Sequence, residues 1–116
     1  MKYNYDWYWK NGLHDAKIID IKTEDLDYDY KQKNPIRNVL EIFLDSRCAM
    51  NDTTVKSLRF YNYKILEGDV DLINTWWYDD DIREIDGRIK LKIELECGKK
   101  EHKYLALLFD KAEIIR

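Results

Sequence analysis

Asp86-Gly87-Arg88-Ile89-Lys90-Leu91-Lys92-Ile93-Glu94-Leu95-Glu96 is the stretch whose reading decides the fold. Ile89, Leu91, Ile93 and Leu95 alternate with Lys90, Lys92, Glu94 and Glu96. A period of two gives an extended strand one apolar face and one wet face. Asp86-Gly87 just before it is the strongest short hairpin signal, because both turn residues tolerate positive φ. Downstream, Cys97-Gly98-Lys99-Lys100 predicts a second tight connection. It leads into a strand from His102 to Phe109 whose continuous apolar end predicts cover on both faces. A short strand from Ala112 to Ile115 completes a meander.

Upstream the pattern is similar but less regular. Ala16, Ile18, Ile19 and Ile21 predict a strand from about Asp15 to Thr23. Leu26, Tyr28 and Tyr30, alternating with Asp27, Asp29 and Lys31, extend it or begin another. Asn34-Pro35 holds the only proline and predicts a break. Val39 to Asp45 is a strand, Ser46 to Thr53 a polar loop holding Cys48, and Val55 to Leu66 again alternates. Asp69 to Trp77 reads as a short helix, with Val70, Ile73 and Trp77 at helical spacing, or as an irregular strand. The expected class is all-β, an antiparallel sandwich or open barrel of about six to eight short strands. The fallback is α+β with one short helix.

The chain has 116 residues, enough for one domain spanning 1–116, and no linker or repeat interrupts it. Its 45% hydrophobic and 14% aromatic content is too high for disorder, despite 37% charged residues. A net charge of −3 provides no footprint for nucleic acid or an anionic membrane, so a basic partner is expected over an acidic one. Met1 to Gly12 lacks the apolar core of a signal peptide, and the apolar run Tyr104 to Phe109 is too short to span a bilayer. A cytoplasmic location follows as the expectation, with Cys48 and Cys97 as thiols.

Phosphate loops, nucleophile elbows and regularly spaced metal ligands are all missing, so no cofactor and no metal are expected, and the balance leans away from an enzyme without closing that question. Three features remain. Trp76-Trp77-Tyr78 followed by Asp79-Asp80-Asp81 could form an aromatic and acidic binding surface for a basic protein. Tyr3, Tyr5, Trp7, Tyr8 and Trp9 form a second aromatic cluster, and Asp20 to Asp29 a second acidic stretch. Leu13-His14-Asp15-Ala16 suggests an alternative site. An imidazole beside a carboxylate is acid–base equipment, although neighbours on one strand point to opposite faces. Cys97 and His102 flank a turn and could join that site.

Trp9, Leu13-His14-Asp15-Ala16, the strand Leu40 to Leu44 and Leu58-Arg59-Phe60 resemble small uncharacterised bacterial β proteins. Some of these stand among the immunity proteins of polymorphic toxin systems. The resemblance covers the first half of the chain, and a longer polar insertion usual after the first strand is lacking here. It implies an all-β or α+β fold and a protein partner, and it carries over no catalytic residue. The sequence therefore points to a non-enzymatic protein-interaction module, of immunity or accessory type. The alternative is a small-molecule binder or hydrolase around His14, and self-association through an edge strand is a further expectation.

Overall fold

The structure, a computed structural model, describes residues 12–68, 71–98 and 101–116. The cluster from Tyr3 to Trp9 lies outside them, as do Asp69, Val70, Lys99 and Lys100. Eight strands follow in chain order: β1 Lys17–Asp29, β2 Asn34–Asp45, β3 Ser57–Tyr61, β4 Lys64–Glu67, β5 Trp76–Ile85, β6 Arg88–Glu96, β7 His102–Phe109 and β8 Lys111–Ile115. All pair antiparallel in one sheet of order β4-β7-β6-β5-β1-β2-β3-β8. The class is all-β, and among the described residues no helix is long and apolar enough to cross a membrane.

β3 and β4 stand near opposite ends of that order, yet only Asn62 and Tyr63 separate them in the chain. The sheet must therefore curl on itself. One register runs from Ser57↔Ile115 through Tyr61↔Lys111 and resumes at Lys64↔Leu108. The stretch expected as a single strand from Val55 to Leu66 is thus a bent one. Asn62, with φ 54°, turns the corner. Its side-chain amide donates to Asp110 at 2.9 Å, and Arg88 donates to the same carboxylate at 2.7 Å. Asn tolerates this left-handed conformation better than most residues, which is why the bend falls there.

Inside the curl, the apolar positions of β6 belong to one buried cluster with those of β1, β2, β3, β5, β7 and β8. Ile89, Leu91, Ile93 and Leu95 are at most 2% exposed. Phe60 and Phe109 pack with ring centroids 4.9 Å apart. Leu105, Ala106 and Leu107 are all buried, as the unbroken apolar run of β7 predicts. Asp86 and Gly87 close β5 onto β6 with φ of 49° and 81°, the two-residue turn read from the sequence.

Two expectations are corrected. Asn34-Pro35 does not break the chain. The turn falls earlier, at Tyr30 to Lys33, and Pro35 sits within β2 opposite Tyr28, at an irregular stretch of the ladder where a missing N–H is tolerated. Asp71 to Thr75 is neither helix nor strand but a loop with a turn at Ile73 and Asn74. Leu72 is buried beneath it, Thr75 Oγ1 donates to the Leu72 carbonyl at 2.6 Å, and backbone bonds join Asn74 and Thr75 to Ile18, so burial and these bonds pin the loop.

The loop after β2 is fastened to the C-terminal residue. Asp52 accepts from Thr54 Oγ1 at 2.6 Å, from the Thr54 amide at 3.0 Å and from Arg116 at 2.8 Å. Those donors, Thr54 first, hold its carboxyl down at about 2. Because this lies below the unfolded value of 3.8, the stabilisation is complete above pH 4 and disappears as pH falls towards 2. Asp52→Asn should flatten the fall in Tm across that window. Screening at this partly exposed site limits the loss at neutral pH to under about 1 kcal/mol. Thermal melts of both proteins from pH 7 to pH 2 check this; parallel curves would count against it.

Candidate functional site

The site begins with alternation on β5. Trp76 points outwards and is 40% exposed, whereas Trp77 points inwards and is 1% exposed. Trp77 therefore belongs to the core and leaves the expected binding surface. Consecutive strand residues cannot share a face. Its indole N–H donates to Asp80 at 2.7 Å, which draws that carboxylate inwards as well.

A β-bulge follows. Trp77 pairs with Leu95 and Asp79 with Glu94, so Tyr78 is the extra residue. Strict alternation from Trp77 would have placed Asp79 on the core face. The inserted residue restores it to the outside, beside Tyr78. A bulge also leaves a backbone group without a ladder partner. Here His14 Nδ1 meets the Tyr78 carbonyl at 2.6 Å. A carbonyl can only accept, so Nδ1 carries the hydrogen.

His14 and Asp15 lie in a turn over 12–15 rather than on a strand, and Asp15 has φ 72°. The expectation that they would face opposite ways is overturned. A turn lets neighbours converge, and His14 Nε2 stands 3.6 Å from the Asp15 carboxylate. The turn is clamped by backbone bonds from Asp15 to Trp77, from Met50 to His14, and from Asn51 and Asp52 to Gly12.

On β6 and β7 the outward positions complete the surface. Glu94 lies directly between Asp79 and Tyr104 in the cross-strand row. It accepts from His102 Nδ1 at 2.9 Å. It also takes a hydrogen bond from Tyr104, which raises that hydroxyl above the ordinary phenol range. The ring of Tyr78 stands between two imidazoles, 5.5 Å from His14 and 5.1 Å from His102. The two candidate regions read separately from the sequence are one surface. Cys97 does not line the hollows of this surface; its thiol lies 3.9 Å from Glu101.

Three shallow hollows run along this surface. The first, about 310 Å³, is lined by His14, Met50, Tyr78 and Asp79. The second, about 210 Å³, shares Asp79 and adds Asp80, Asp81, Lys92, Glu94 and Tyr104. The third, about 310 Å³, lies beyond Tyr104 over Gly68, Leu72 and His102. Asp81 is paired with Arg83 at 2.8 Å, and Lys92 with Glu67 at 3.6 Å. Among the described residues Asp79 has no ion pair, and its Oδ1 accepts from the Asp80 amide at 2.9 Å.

No protein-family model, curated protein or solved structure matches this chain. Function must be argued from this surface. Both imidazoles have Nδ1 engaged, and among the described residues no hydroxyl or thiol is hydrogen-bonded to either ring. Nor does any group of three or more His, Cys, Asp or Glu among them form a metal site. What the surface does offer is half-exposed rings beside carboxylates. Glu94, Tyr104 and Met50 were not singled out from the sequence. The outward alternation of β6, and the two-residue step from His102 to Tyr104, were the signals for the first two. Nothing local marked Met50.

Proposed function

We propose that this chain is a non-enzymatic protein-interaction module that binds a basic partner through the outer face of β5, β6 and β7. The observation that carries this reading is the continuity of Trp76, Tyr78, His102 and Tyr104 with Asp79 and Glu94 on one rigid sheet. Rings supply large contact area at low entropic cost, and a carboxylate fringe selects for positive charge. The resemblance to immunity proteins supports an inhibitor that covers its partner. A second reading, a hydrolase or small-molecule binder at the imidazoles, is favoured by one observation. Glu94 orients His102 as a carboxylate orients a general base, which would leave water as the nucleophile.

The test is to capture interacting proteins on immobilised chain, identify and purify the species retained, and titrate it by calorimetry. Trp76→Ala combined with Tyr78→Ala should weaken its binding by at least about thirtyfold, roughly 2 kcal/mol. Tyr30→Ala, 83% exposed at the far end of the β1–β2 arm, should bind as the parent does. Equal affinity across all three would rule this face out as the interface. Turnover of model esters that disappears in His102→Gln would favour the second reading instead.

A further inference from the structure

The geometry points to a specific anchor: an arginine of the protein partner enters the hollow of His14, Met50 and Tyr78 and places its guanidinium on Asp79. This rests on the reading of the β5–β7 face as a protein-binding surface and names what that surface selects.

The argument starts from Asp79. The bulge at Tyr78 holds it outwards, the Asp80 amide fixes one oxygen, and among the described residues it forms no ion pair. It is also the residue shared by the first two hollows. Any partner seated over them removes this carboxylate from water, and an apolar or anionic side chain would leave it buried and unpaired. The occupant must therefore bring a hydrogen-bond donor, and a cationic donor makes the stronger, charge-assisted bond. The rest of the lining discriminates between cations. Tyr78, 41% exposed, and Met50, 62% exposed, form an apolar rim, with the imidazole of His14 behind. A guanidinium is planar and weakly hydrated, so it can stack on a ring and still present two parallel N–H groups to a carboxylate. An ammonium holds its water more tightly and has no flat face. The neighbouring carboxylates add long-range attraction without competing for the seat. Asp81 is taken by Arg83 and Glu94 by His102, while Lys92 is drawn off towards Glu67. Asp15, 3.6 Å from the imidazole of His14, adds negative charge nearby.

The test uses a disordered twelve-residue peptide with two arginines, and matched versions in which both are lysine or both citrulline. Citrulline keeps the shape but removes the charge. Binding to the full chain is followed by fluorescence and by calorimetry at low and moderate salt. The arginine peptide is expected to bind, the lysine peptide several-fold more weakly, and the citrulline peptide about tenfold or more weakly, as loss of a charge-assisted hydrogen bond requires. Asp79→Asn should weaken the arginine peptide about tenfold. Asp25→Asn, the same charge change on the β1–β2 arm, should move it less than twofold. Equal binding of arginine and citrulline peptides, equal effects of the two variants, or no binding at millimolar peptide would each overturn the inference. If that happens while the purified partner still depends on Trp76 and Tyr78, only the arginine anchor falls. If the peptide binds at Asp79 but partner binding ignores Trp76 and Tyr78, the broader reading falls instead.

Discussion

Trp77→Ala is expected to destabilise the fold by about 3–5 kcal/mol, the range for deleting a large buried aromatic side chain. Trp77 is 1% exposed and among the largest fully buried side chains. It sits where β5 meets the incoming chain: its carbonyl accepts from the Asp15 amide and its amide donates to Ala16, both at 2.8 Å. Truncation would open a cavity beneath these two rungs, beside the paired position Lys17↔Trp76 and next to the bonds that tie Ile18 to Asn74 and Thr75. It would also take from Asp80 the indole N–H now 2.7 Å away. Total stabilities of such domains lie near 5–15 kcal/mol, so a loss of this size is enough to unfold a marginal domain, and Trp77→Phe is the informative companion. That change keeps most of the volume and should cost about 1–2 kcal/mol. Trp76→Ala, outward on the same strand, should cost under about 1 kcal/mol. Urea unfolding of the three variants gives the ranking, and a Trp77→Ala loss no larger than that of Trp76→Ala would contradict the placement of these side chains.

The second large effect is expected at Gly68, where alanine should cost about 3 kcal/mol. Gly68 has φ 81°, a conformation that alone costs a non-glycine residue about 1 kcal/mol. The larger cost is steric. A Cβ there would lie 2.0 Å from the Tyr104 carbonyl oxygen and 3.3 Å from Leu105 Cα, so backbone of β7 must move. Gly98 supplies the control, because its φ is also positive, at 139°, but among the described residues a Cβ would meet nothing within 4 Å. Gly98→Ala should therefore show the conformational cost alone. Because the displaced carbonyl belongs to Tyr104, the damage should also reach the binding face. Affinity for a purified partner should drop in Gly68→Ala beyond what its stability loss explains, and remain intact in Gly98→Ala. Similar unfolding midpoints for the two glycine variants would be inconsistent with this packing.

How much was legible varied with the physics of each segment. β6 was readable residue by residue because a half-buried strand writes its two faces directly into alternation. The turn at Asp86 and Gly87 was readable because few residue pairs accept two positive φ values. β7 was readable from its apolar run. The corner at Asn62 was not, because alternation continues on either side and a bend changes strand partners without changing faces. Trp76, Trp77 and Tyr78 were recognised as important, but three adjacent aromatics carry no period from which to choose the inward one.

The candidate site divides in the same way. The residues of its centre, His14, Tyr78, Asp79 and His102, were each picked out from sequence by their chemistry, yet as two unrelated groups. Sequence by itself determined the all-β class, the β5–β6 hairpin, the inward face of β6 and the excess of aromatic and acidic side chains near residues 76–81. Local periodicity and turn chemistry suffice for these. Tertiary structure decided that β3 and β4 would straddle the two ends of the sheet, that Trp77 would be core, and that Tyr78 would stand between His14 and His102. It also decided that Asp79 would face outwards. That last outcome depends on one extra residue in a ladder, and a bulge exists only once two strands have been paired.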